Sequence, residues 1–142
     1  MRTIEQILKT ARTVAVVGLS NKPERASHEV AGYLQAQGYE ILPVNPAYAG
    51  QQILGRTVYA TLQEAADVLA RDGRRIDVVD CFRKSEDIPP IARDAIDVRA
   101  SVLWMQLGIE NRAAADLARA AGLDVVMNHC MLIEHRKLAS HA

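Results

Sequence analysis

No apolar run in the chain approaches the roughly 20 residues that a membrane-spanning helix requires, which excludes a helical membrane span. The opening segment, Met1-Arg2-Thr3-Ile4-Glu5-Gln6, lacks the apolar stretch of a secretory signal, so a cytoplasmic protein is expected. Excess charge of either sign is also missing. Seventeen basic residues balance 17 acidic ones, and bulk electrostatics therefore offer no general attraction to nucleic acid or to an anionic membrane. Any anion site must be local. Cysteine is scarce, and Cys81 and Cys130 have the spacing of neither a zinc site nor a redox pair. Both are expected as thiols, since a structural disulfide is unusual in a reducing compartment. There is no linker, low-complexity tract or long repeat, and 142 residues suffice for one domain, 1–142, with its own hydrophobic core.

What the chain does contain is a regular alternation of short apolar runs with amphipathic segments. Thr3 to Gln6 has the form of a capping box, and Ile4, Ile7, Leu8 and Ala11 then recur at helical spacing. Thr13-Val14-Ala15-Val16-Val17 is a continuous run ending at Gly18, the pattern of a strand covered on both faces. Ser27 to Gln37 presents Val30, Ala31 and Leu34 on one face and stops at Gly38. Glu40 to Val44 predicts the second strand, and a turn-rich loop, 45–50, follows it. Thr61 opens a second capping box ending at Glu64. Ile76 to Cys81 predicts the third strand, and Ser85 is the expected cap of a helix carrying Ile88, Ile91, Ala92, Ala95 and Ile96. Ser101 to Met105, a helix over 111–121 and Leu123 to Met127 complete the pattern, with a last helix starting near Cys130.

Short apolar strands joined by crossover helices must lie parallel, because right-handed connections place helices on both faces of one sheet. The expected fold is α/β: a single doubly wound, Rossmann-like domain with a five-stranded parallel sheet. The expected strand order is 3-2-1-4-5, with the ligand crevice at the carboxyl ends of strands one and four.

The first turn, from Gly18 to Ser27, lies between a strand and a helix start. Such a turn offers free backbone N–H groups and the positive end of a helix dipole, both favourable to phosphate. Lys22 and Arg25 add positive charge, and Ser20 and Ser27 offer hydroxyls. The same residues also suit a solvated loop in which Ser27 is an ordinary N-cap. A dinucleotide fingerprint is absent, since Ser20 and Pro23 stand where glycines are needed, and strand two ends in Pro43-Val44-Asn45-Pro46 without the acidic residue that holds a ribose. A Walker phosphate loop is missing too.

Val17-Gly18-Leu19-Ser20, Pro23, Arg25, Ser27, Gly38-Tyr39 and Pro43-Val44-Asn45-Pro46 together carry a family resemblance. It extends through Leu54-Gly55, the 78–83 segment Val-Val-Asp-Cys-Phe-Arg, the 102–109 segment ending Gln106-Leu107-Gly108-Ile109, and 128–135. In order and spacing these resemble the small stand-alone CoA-binding proteins, which are similar to the N-terminal nucleotide domain of the succinyl-CoA synthetase α-subunit. The resemblance covers nearly the whole chain. It implies coenzyme A as the ligand, with Gly18, Ser20, Arg25 and Ser27, joined by Lys22, around the phosphates. It also implies that Asn45 and Pro46 lie beside the nucleotide, and that Phe82 and Arg83 face the adenine or the 3′-phosphate. An aromatic face and a guanidinium suit a flat base and an anion respectively; Phe82 equally suits a buried position closing the sheet. Gln106 and the Gly108 backbone are implied to line the pantetheine channel, whereas Trp104 is expected in the core.

The synthetase also uses a phosphorylated histidine and a nucleotide-grasping partner, and this chain is too short to carry those domains. The expected function is therefore a non-catalytic coenzyme A or acyl-CoA binding module, a sensor or carrier, with no catalytic residue and no metal ligand assigned. Its ligand would be a small molecule, with neither nucleic acid nor membrane as partner. One alternative is an enzyme or accessory subunit acting on an acyl-CoA through a group such as Cys130. Another is an NAD(P)-binding protein. His129, Cys130 and His135 match no zinc spacing, and structural roles are expected for them.

Overall fold

The computed structural model describes residues 1–140. A leading helix, α1 (Ile4–Thr10), is opened by the expected box: Thr3 Oγ1 accepts from the Gln6 N–H, and Gln6 Oε1 accepts from the Thr3 N–H. Next come β1 (Thr13–Val17), α2 (Ala26–Ala36) and β2 (Glu40–Val44), and then a two-residue hairpin of β3 (Gln52–Ile53) and β4 (Arg56–Thr57). Helices and strands then alternate as α3 (Leu62–Ala70), β5 (Val78–Cys81), α4 (Ile88–Asp97), β6 (Val102–Met105), α5 (Arg112–Ala120), β7 (Asp124–Val126) and α6 (Met131–Ser140).

The five long strands form one parallel sheet in the spatial order β2-β1-β5-β6-β7. Counted along the chain this is 2-1-3-4-5, which corrects the expected 3-2-1-4-5. The outer edge of β2, where a third strand would have docked, is already occupied. The Tyr59 N–H donates to the Pro43 carbonyl at 2.9 Å, and the Asn45 N–H donates to the Tyr59 carbonyl at 2.9 Å. Pro43 has no N–H to offer a neighbour on that side, and a proline inside a strand belongs at a sheet edge. β5 therefore pairs with the opposite side of β1, with Val17 against Cys81. The switch point moves with it, from strands one and four to β1 and β5.

From β1 the chain crosses one way to β2, and from there every later connection steps the other way, so right-handed crossovers place helices on both faces. One face carries α1, α2 and α6 over a core that includes Val16, Leu34, Ile41, Trp104 and Met131. The other carries α3, α4 and α5 over Ala15, Leu42, Val79, Leu103 and Met105. Because side chains alternate along a strand, β5 sends Val78 and Asp80 toward the α2 face, while Val79 and Cys81 point to the opposite one.

Two caps differ from the sequence reading. Ser85 does not cap a helix: it opens a single 3-10 turn, Ser85–Asp87, and α4 starts at Ile88 with prolines in its first turn, where missing N–H groups cost little. Ser85 instead ties two loops, its Oγ accepting from the Glu110 N–H and its carbonyl from Asn111 Nδ2. Thr61 Oγ1 does accept from the Glu64 N–H, but Glu64 Oε2 accepts from the Ala60 N–H, one residue before the cap. None of the described helices is long and apolar enough to cross a membrane.

Candidate functional site

At the carboxyl ends of β1 and β5 lies a cleft of about 320 Å³, lined by Gly18, Ser20, Lys22, Arg25, Ala26, Ser27, Tyr48 and Phe82. Six of these were expected at a site. The turn that carries them is built by its own side chains. Ser27, buried in the first turn of α2, accepts from the Ser20 N–H at 3.0 Å, and Ser20 Oγ accepts from the Lys22 N–H at 3.1 Å. The loop is thus folded back onto the helix start, and Ser27 is not the N-cap. That position belongs to Arg25, which makes no side-chain capping bond. The first-turn amides of α2 consequently remain uncapped by any side chain, and the positive end of an 11-residue helix opens on the cleft.

Gly18 is required by geometry. Its φ of +89° lies in the left-handed region, and a Cβ placed there would stand 2.4 Å from the Phe82 carbonyl oxygen. The close approach brings the end of β1 against the end of β5, and it sets Arg83 beside the cleft, its Nε 3.3 Å from that same Cβ position. Lys22 and Arg25 are exposed, and neither has an ion-pair partner among the described residues. The cleft therefore carries two cations that no carboxylate among the described residues pairs.

Asn45, Pro46, Phe82, Gln106 and Gly108 divide between clamp and rim. Asn45 is buried, its Nδ2 donating to the Leu19 carbonyl and its Oδ1 accepting from the Ala47 N–H. It joins the β1 turn to the β2 turn. Pro46 opens the 3-10 turn Pro46–Tyr48, which delivers Tyr48 to the cleft. Phe82 is half-buried; it packs on the α2-side core and also lines the cleft. Gln106 and Gly108 lie outside the cleft, after β6. The Gly108 N–H is already engaged by Asn128 Oδ1 at 2.7 Å. Trp104 is fully buried, with Nε1 donating to the His129 carbonyl at 2.7 Å.

Asp80 was not singled out by the sequence, yet it is the most unusual group near the crevice. It is fully buried one layer below Phe82, with Oδ1 accepting from Gln106 Nε2 at 2.6 Å. Its Oδ2 has no partner. Burial raises its pKa from 3.8 to about 7, against a smaller lowering by the Gln106 bond. The adjacent Cys81 thiol is pushed up by its own burial and by the Asp80 charge, which makes it an inert core group. A carboxylate inside the apolar run Val78-Val79-Asp80-Cys81 was the available signal.

Both cysteines are free thiols, as expected. Cys130 is half-buried and its carbonyl accepts from the Glu134 N–H at the start of α6. His129 Nδ1 lies 3.4 Å from Glu134 Oε2, and no group of metal-ligating side chains is assembled among the described residues. A larger cavity, about 660 Å³, opens at the opposite end of the sheet and includes Arg2, Arg75 and Arg99. Residues after the last turns of α4 and α5 line it too, and Arg2 is paired there with Asp124, Nε to Oδ2 at 2.7 Å.

Comparison with known proteins identifies the family. Residues 12–136 match the model of the CoA binding domain family. YneT of Bacillus subtilis (strain 168) is 38% identical over 132 residues, 93% of this chain and 91% of that protein. The solved structure of a hypothetical protein from Pyrococcus horikoshii OT3 superposes with a TM-score of 0.85 at 38% identity, covering 96% of this chain and 89% of that one. A Rex-family repressor in complex with β-NADH reaches a TM-score of 0.57 at 17% identity, over 94% of this chain and 60% of the repressor, a likeness of fold alone. The family match spans the whole sheet and every residue of the cleft, and the chain belongs to the CoA-binding domain family.

Proposed function

We propose that the protein binds coenzyme A or an acyl-CoA as a non-catalytic module, a sensor or carrier, with the phosphates in the cleft between β1 and β5. The observation that carries the reading is the uncapped start of α2 facing a turn that bears two unpaired cations. Those residues fit the ligand's charge. Helix amides and hydroxyls satisfy a diphosphate without needing a metal, Lys22 and Arg25 neutralise it, and Gly18 leaves the backbone open where a Cβ would collide. Arg83 Nε lies beside Gly18, which supports a role for it toward a second anionic group such as the 3′-phosphate. A cleft of about 320 Å³ is at the small end for ligand sites. It suits the phosphate portion of a long molecule whose remaining arm runs over the strand ends toward Gln106.

A thermal-shift series tests this directly, because a ligand of the native state raises stability by mass action. Coenzyme A and acetyl-CoA are expected to raise the melting temperature, dephospho-coenzyme A less so, and NAD and NADP not at all. A shift with NADP and none with any CoA species would replace the reading with a nicotinamide one.

A further inference from the structure

The Asp80–Gln106 pair has a property that neither residue has alone. Among the described residues, Asp80 Oδ2 is the buried side-chain polar atom left without a partner. Gln106 Oε1 likewise accepts no hydrogen bond among the described residues, and it reaches the surface at the tip of a residue only 3% exposed. The register fixes where. Cys81 pairs with Met105, so the following residues, Phe82 and Gln106, stand side by side on the carboxyl rim, next to Gly18 after Val17. Gln106 therefore has one end of its amide held inward by Asp80 and the other at the rim, beside Phe82 of the cleft.

An amide has a donor end and an acceptor end, and an ionised carboxylate accepts only. We propose that Asp80 is a positioning residue: by binding Nε2 of Gln106 it turns the amide oxygen outward, presenting an acceptor for an N–H or O–H group of the ligand. Amide N–H groups of a pantetheine arm belong to that chemical class, and the identity of the ligand here rests on the coenzyme A reading. A protonated Asp80 loses the charge that fixes this orientation and gains a donor, so the reversed amide becomes accessible. In that arrangement the Asp80 O–H donates to Oε1, Nε2 faces the rim, and a donor meets a donor.

The surroundings isolate this device from other titrations. β1 and β6 contribute Val16 and Trp104 beside Asp80, and the α2 and α6 faces over it are apolar at Val30, Ala31 and Met131. The ionisable groups on the packed elements are His28, Glu29 and Tyr33 of α2, Glu134, His135, Arg136 and Lys137 of α6 with His129 and Cys130 just before it, and Arg83 after β5. The Cys81 thiol lies behind, on the other face. Burial and the Gln106 bond are the causes of the Asp80 shift, and no charge on those elements adds to them.

The test follows the ¹⁵N side-chain amide resonance of Gln106 from about pH 5 to pH 8.5, without ligand, in the wild type and in Asp80→Asn, together with coenzyme A affinity over the same range. The Gln106 resonance is expected to titrate with a midpoint near 7 in the wild type and to stay fixed in Asp80→Asn. The affinity ratio of wild type to Asp80→Asn is expected to rise with pH by about fivefold to tenfold, the change one hydrogen bond carries. Taking the ratio removes protonation of the ligand's own phosphate. A Gln106 resonance that does not move in the wild type overturns the positioning role, whether or not the variant folds. Identical affinity profiles for the two proteins overturn it as well. If Gln106 titrates but coenzyme A binds at no pH, the coupling of Gln106 to Asp80 stands and the ligand reading fails, taking the positioning role for coenzyme A with it.

Discussion

Replacing Asp80 by Asn keeps the shape of the side chain and removes its charge, and the effect on stability can be worked out in advance. The folded chain holds the Asp80 proton up to about pH 7, whereas the unfolded chain releases it near the ordinary value of 3.8. Protons are therefore bound more tightly in the folded state. The stability that this group contributes is complete below about pH 4 and is lost as pH rises through 7. Each pKa unit corresponds to about 1.4 kcal/mol, so the full loss is about 4 kcal/mol. Roughly 2–3 kcal/mol of it falls between pH 5 and pH 8. That is a large share of the 5–15 kcal/mol that holds a typical domain together. Urea denaturation at the two pH values measures it. Asp80→Asn is expected to gain about 2–3 kcal/mol on the wild type as pH goes from 5 to 8, an increase of about 1–2 M in relative midpoint. All other carboxylates and histidines titrate in both proteins and cancel in the comparison. If the difference between the two proteins is the same at both pH values, Asp80 is already ionised in the fold and the reasoning from its burial is wrong.

Gly18→Ala is expected to cost about 1–3 kcal/mol of stability from the positive φ alone, and more from the collision with the Phe82 carbonyl, as read by denaturation. Asn45→Ala removes both bonds of a buried clamp and is expected to cost about 1–3 kcal/mol, while loosening the turn enough to weaken ligand binding. Arg25→Ala and Lys22→Ala should leave the melting temperature of the free protein unchanged, because both side chains are exposed and unpaired, yet each should weaken coenzyme A binding about tenfold by calorimetry. Equal binding by either variant would place the phosphates elsewhere.

Much of the architecture can be read from the residues because each strand is a continuous apolar run closed by a turn residue, and β1 and β2 end where those runs end. Strand order is a different kind of information. It depends on which edge of β1 the chain after β2 returns to, and no local pattern states that, although Pro43 carried a clue: it marks β2 as an edge strand, which the order 3-2-1-4-5 contradicts. The hairpin of β3 and β4 left no periodicity because two residues cannot show one. In the cleft, Gly18 to Ser27 come together because they are one turn, so consecutive sequence was enough. Tyr48 arrives by way of a neighbouring 3-10 turn, and the Asp80–Gln106 bond joins two strands whose adjacency had to be known first. Ser27 shows the limit of residue preferences: a serine at a helix start suits a cap, but here its oxygen is taken by the Ser20 N–H.

Calorimetric titration of coenzyme A and of NADP into the purified protein tests the central claim most directly. Binding of one coenzyme A per chain, weakened by Arg25→Ala and matched by no heat from NADP, is the predicted result. Saturable binding of NADP with none of coenzyme A would contradict it, leaving the fold in place and the ligand reassigned.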